Sequence, residues 1–120
     1  MLFHGTMNRN GEGIIEVGNV SLETLAETYG TPLYVYDQSH IEQQCRLFSN
    51  SFRHQDINGI VAYASKAFLT IAMAQLIANE GLSIDVASKG ELYTVYKAEF
   101  PMERVYFHGN NKTIDELELA

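Results

Sequence analysis

Polar and apolar positions along this chain change period several times, and each change predicts an element. Asn10-Gly11-Glu12-Gly13 reads as a turn, and Ile14-Ile15-Glu16-Val17 after it as a short strand. From Ser21 the apolar residues Leu22, Leu25, Ala26 and Tyr29 fall at helical spacing, with Ser21 as cap and Gly30 as stop. Pro32 forces an extended backbone, so Leu33-Tyr34-Val35-Tyr36 reads as a strand. Ser39 with Glu42 three residues later has the capping-box pattern. A helix to about His54 is predicted there, with Ile41, Cys45, Phe48 and Phe52 on its apolar side.

Beyond that point the pattern becomes regular. Gly59-Ile60-Val61-Ala62-Tyr63-Ala64 is nearly all apolar, as expected of a parallel strand buried on both faces, and the strand is placed over Ile60–Ala64. A helix over Phe68–Asn79 follows, closed by Gly81. Strand Leu82–Ala87 leads to Ser88 and Glu91, a second capping box, and a helix stopped near Pro101. Strand Val105–Phe107 leads to Thr113 and Glu116, a third capping box, and a last helix. Strand ends recur about every 22 residues, the length of successive βα units, which predicts parallel strands with right-handed crossovers. A closed (β/α)8 barrel needs about 250 residues, so only its first units are visible.

Composition narrows the class. A hydrophobic share of 46% with 19% charged residues is that of a globular chain. The net charge of −7 with scattered basic residues does not point to nucleic acid or an anionic membrane as partner. Cys45 is the only cysteine, so an internal disulfide is excluded and a reducing, cytoplasmic setting is expected. His4, His40 and His54 lack metal-ligand spacing with each other or with Cys45.

Candidate chemistry clusters after the strands. Lys66 follows the apolar run at a strand-to-helix junction, the edge where α/β folds keep their sites. Desolvation there would favour a neutral amine able to form a Schiff base; a solvated surface lysine is the alternative. Asp85 lies inside the strand Leu82–Ala87, where a carboxylate is costly unless paired or facing a polar cavity. It is either a site residue or the outer side of an edge strand. Ser88 and Glu91 are accounted for as a helix cap. His108-Gly109-Asn110-Asn111 ends the third regular strand, either as polar groups of a site or as a simple turn.

Taken in order, four segments resemble the diaminopimelate decarboxylases. They are Tyr29-Gly30-Thr31-Pro32-Leu33-Tyr34-Val35-Tyr36-Asp37, Tyr63-Ala64-Ser65-Lys66-Ala67, Asp85-Val86-Ala87-Ser88-Lys89-Gly90-Glu91-Leu92 and His108-Gly109-Asn110-Asn111-Lys112. That family belongs to the fold-type III pyridoxal 5'-phosphate (PLP) enzymes, with alanine racemase and the eukaryotic-type ornithine decarboxylase. The likeness runs along almost the whole chain, including Leu2-Phe3-His4-Gly5-Thr6. Lys89 departs from it, glycine being frequent at that position.

The resemblance implies an α/β fold: a partial (β/α)8 TIM barrel of the alanine racemase/ornithine decarboxylase kind, with N-terminal βα units only. Residues 1–36 would pack with a C-terminal β domain, and residues 37–120 would open the PLP-binding barrel. The implied activity of the full-length protein is decarboxylation of meso-2,6-diaminopimelate to L-lysine and CO2, in a homodimer. Lys66 is implied as the catalytic residue that links covalently to PLP, Asp85 and His108 as cofactor-binding groups, and Ser88 and Asn110 as supporting groups. The phosphate site, the ring-stacking histidine and the acidic partner of the ring nitrogen come from later in the family's barrel, so the 120-residue chain alone is expected to be inactive. A related basic amino-acid or polyamine-precursor decarboxylase and a non-catalytic PLP-binding barrel protein stay open as alternatives.

Overall fold

A computed structural model describes residues 2–54 and 57–120. The chain forms two compact units, one ending at Gln44 and one beginning at Cys45.

The first unit is built on an antiparallel sheet of β1 (Asn8–Arg9), β2 (Ile15–Val17) and β3 (Val20–Ser21). Asn10 makes the first turn, its Oδ1 accepting the N–H groups of Glu12 and Ile14 at 3.0 Å each. The second turn is the pair Gly18-Asn19, with φ of 58° and 64°. Two positive φ values in a two-residue loop match the twist of the strands they join. Helix α1 (Leu22–Tyr29) has the expected ends: Ser21 Oγ accepts the Thr24 N–H, and Gly30, at φ 79°, donates to the Ala26 carbonyl.

Two expectations fail in this region. Leu33–Tyr36 lies outside both sheets, although its composition suits a strand. Strand propensity describes fit to a pleated, half-covered surface, and these side chains are exposed, Tyr34 by 90%. Helix α2 (Gln38–His54) begins before Ser39, so Ser39 is not its cap. Asp37 takes that role, with Oδ1 accepting the His40 N–H at 3.0 Å. Its Oδ2 accepts the N–H and hydroxyl of Thr6 at 2.6 and 2.7 Å, while Thr6 Oγ1 accepts the Gly18 N–H. One carboxylate thus joins the N-terminal segment, the β2–β3 turn and the start of α2.

The second unit carries a parallel sheet of β4 (Ala62–Ala64), β5 (Ser83–Val86) and β6 (Val105–Phe107), in sequence order. Helices α3 (Ile71–Asn79), α4 (Lys89–Lys97) and α5 (Ile114–Leu119) follow the three strands in turn. This is the expected α/β fold, a partial parallel sheet of βα units. However, β4 is shorter than the expected Ile60–Ala64 and is not buried on both faces, because it stands at the sheet edge, with Ile60 69% exposed. Ile84 and Val86 of β5, Ile77 of α3 and Leu92 and Val95 of α4 are fully buried and form the core. Each contributes about 1.5–3 kcal/mol by leaving water.

Helix α3 starts later than its apolar run suggested. Thr70 caps it by accepting the Met73 N–H, and Phe68 is extended. The Tyr63 hydroxyl donates to the Phe68 carbonyl at 2.6 Å, which engages that carbonyl outside the helix. α3 and α4 end in the same way. Gly81 donates to Ala78 and Leu82 to Ile77, and Glu99 donates to Tyr96 and Phe100 to Val95. Each is a Schellman closure with its turning residue in the left-handed region, Gly81 at 75° and Glu99 at 56°.

Candidate active site

β4 leads directly into a 3-10 turn, Ser65–Ala67, that carries Lys66. The Tyr63–Phe68 hydrogen bond spans this turn and fixes its width. Lys66 is exposed, and its amine makes no hydrogen bond or ion pair with any described residue. Beside it, Ser65 is 3% exposed and its hydroxyl has no partner among the described residues. An orphaned buried hydroxyl is rare in folded proteins and marks a place where a further polar group belongs.

Asp85 is reached through register. Ala64 pairs with Asp85 and Asp85 with Tyr106, so all three side chains share one face of the sheet. Ile84 and Val86, on either side of Asp85, point to the helix-covered face and are fully buried. Asp85 is therefore on the face opposite the core, with its side chain 31% exposed. The partner it requires is His108, which follows β6 and extends the ladder by donating its N–H to the Val86 carbonyl at 3.0 Å. His108 Nδ1 is hydrogen-bonded to Asp85 Oδ1. A carboxylate only accepts, so Nδ1 carries the proton and Nε2 is left for another group.

Ser88 caps α4 as expected. Its Oγ accepts the Glu91 N–H at 3.2 Å, and Glu91 Oε2 accepts the N–H groups of Ala87 and Ser88. Asn110 lies in the exposed turn after His108 and makes no hydrogen bond among the described residues. All five candidates are thus at the carboxyl ends of the parallel strands, but the geometry joins only Asp85 and His108. The Tyr63 tether was missed by sequence reasoning; a tyrosine at the inner end of the lysine turn was its only signal.

A cleft of about 400 Å³ lies at the opposite end of the sheet, lined by Phe52, Gly59, Ile60, Leu82, Arg104 and Tyr106 among others. Phe52 packs so closely on Gly59 that a Cβ there would come within 2.5 Å of its ring. The cleft contains none of the candidate residues, and site chemistry in α/β folds belongs at the other edge.

Residues 38–120 match the family model described as "Pyridoxal-dependent decarboxylase, pyridoxal binding domain". The chain belongs to this family. Within this decarboxylase family, diaminopimelate decarboxylase of Bacillus methanolicus is 54% identical over 120 residues, covering all of this chain and 28% of the relative. Diaminopimelate decarboxylase of Bacillus subtilis (strain 168) is 52% identical, again covering all of this chain and 27% of the relative. A solved diaminopimelate decarboxylase from M. jannaschii, in complex with L-lysine, superposes with a TM-score of 0.79 at 31% identity. It covers 95% of this chain and 28% of that one. The chain therefore spans less than a third of the length of these pyridoxal-dependent relatives.

Proposed function

We propose that the full-length protein to which this chain contributes is a PLP-dependent decarboxylase that converts meso-2,6-diaminopimelate to L-lysine and CO2. The observation that carries the reading is Lys66. Its unengaged amine stands on a tethered turn at the carboxyl edge of the sheet, in a chain 54% identical to a diaminopimelate decarboxylase. The L-lysine held by the M. jannaschii enzyme is the product this reading requires.

The residues present suit the cofactor. Lys66 would hold it covalently, and the orphaned Ser65 hydroxyl beside it supplies a polar group still in need of a partner. When bound, PLP provides an electron sink for the charge left as CO2 departs. Asp85 holds His108 with Nδ1 protonated and Nε2 directed elsewhere, so His108 can orient a cofactor or substrate group. Ser88 acts through the start of α4, and Asn110 offers an unengaged amide beside His108.

We further propose that residues 1–36 join a β domain supplied elsewhere in the full-length protein and that residues 37–120 begin the barrel. The antiparallel sheet confined to the first unit and a family match beginning at residue 38 support this. The 120-residue chain alone would not turn over substrate. A cytoplasmic homodimer completes the reading. The single cysteine supports the compartment, the dimer rests on the family resemblance, and no helix among the described residues is long and apolar enough to cross a membrane.

Borohydride reduction of the full-length enzyme followed by peptide mapping tests this directly. The pyridoxyl adduct should lie on the peptide holding Tyr63 to Ala67, and Lys66→Ala should lose both the adduct and turnover. An adduct on Lys89 or Lys112, or an active Lys66→Ala enzyme, overturns the assignment.

A further inference from the structure

Lys112 is held at two points, and the two points bracket His108. Its ammonium lies 4.5 Å from the centroid of the Phe107 ring, the residue before His108. It also donates to the carbonyl of Gly109, the residue after, at 3.1 Å. Lys112 is half-buried, so the cation over the aromatic face and the charge-assisted hydrogen bond act together at a partly solvated site.

The backbone they hold is an unusual one. Gly109 has φ of 142° and Asn111 of 56°, so the chain reverses sharply straight after the histidine. Before the reversal, the His108 N–H is tied to Val86 and its ring to Asp85. Without Lys112, the turn would have to keep two positive-φ residues in place with no side chain across it, and the ring would lose its downstream support.

We propose that Lys112 is a positioning residue for His108: by clamping Phe107 and Gly109 together it holds the imidazole on Asp85. This rests on the reading of His108 as a group of the active site. The clamp needs a cation with a hydrogen-bond donor, so arginine should replace lysine while an uncharged stem of similar length should not.

The test uses the full-length holoenzyme with Lys112→Met and Lys112→Arg, each alone and with His108→Gln. Two readouts are taken: kcat and KM, and the downfield ring-proton resonance of His108, identified by its loss in His108→Gln. Lys112→Met should lower kcat on the order of tenfold with KM little changed, since a misplaced group costs turnover before binding. It should also broaden or shift the His108 ring proton, and Lys112→Arg should restore both. In the His108→Gln background, Lys112→Met should cost nothing further. Additive losses, or an unchanged ring proton in Lys112→Met, overturn the proposal. If the wild type neither decarboxylates nor forms a pyridoxyl adduct, the enzyme reading fails alone; the ring-proton arm still decides the clamp.

Discussion

Asp37 shows how much a single side chain can organise in this chain. Burial pulls its carboxyl up, but the hydrogen bonds from Thr6 and His40 outweigh that and leave it below the usual carboxylate range. A depressed folded value means the stabilisation is complete above an aspartate's ordinary pKa of about 4 and is lost as pH falls through the lower folded value. Amide exchange at Thr6 and His40 in the full-length protein should therefore be slow, once corrected for intrinsic rates, at neutral pH and quicken only in acid. In Asp37→Ala it should be fast throughout. Removing a cap costs about 1 kcal/mol, and the unpaired Thr6 donors add to it. Equal protection in the variant would show that the network contributes nothing. The sequence marked Ser39 for this role because Ser39-x-x-Glu42 matches the capping-box pattern. It gave no local sign that Asp37 would be fixed by Thr6, which lies 31 residues away. Lys66, Asp85 and His108 were legible as candidates, since each follows or interrupts an apolar run. Their grouping was not, because the Asp85–His108 bond depends on parallel register, a non-local property.

Among the elements, β5 and β6 and the caps of α1, α4 and α5 agree with the sequence pattern because each rests on local signals: short apolar runs for the strands, a serine or threonine at each cap, and glutamate three residues on in α4 and α5. The elements that differ are those whose limits come from contacts elsewhere. α3 loses its expected first turn to the Tyr63–Phe68 bond, and Leu33–Tyr36 stays outside the sheets. The paired helix ends supply an internal comparison. Gly81 adopts its left-handed conformation at no steric cost, whereas Glu99 makes the same closure with a Cβ and is exposed. Glu99→Gly should therefore stabilise the full-length protein by about 0.5–1 kcal/mol, net of the extra freedom glycine gives the unfolded chain. Denaturation would read this as a higher midpoint with an unchanged slope. Gly81→Ala should move the midpoint the other way by a similar amount. If both variants shift it in the same direction, left-handed strain does not govern these closures.

Across the whole chain, local order exceeds what each unit can cover by itself. The parallel sheet has only β5 paired on both sides, so among the described residues β4 and β6 each present an open edge. Ile60, Tyr106, Ile114 and Leu117 are exposed in the same unit. In the first unit Leu33, Tyr34 and Tyr36 are exposed. Open strand edges and contiguous apolar surface favour pairing with other chains unless something covers them. The relatives carry more than twice as much chain again, enough to supply that cover. The 120-residue chain expressed alone should then self-associate as its concentration rises, and its melt should be broad. The full-length protein should melt cooperatively. Sedimentation velocity across a tenfold concentration range, with calorimetry on the same samples, separates the cases. A monodisperse monomer with a sharp two-state transition would show that these few βα units are stable without the rest of a barrel, and that the exposed edges are protected in some other way.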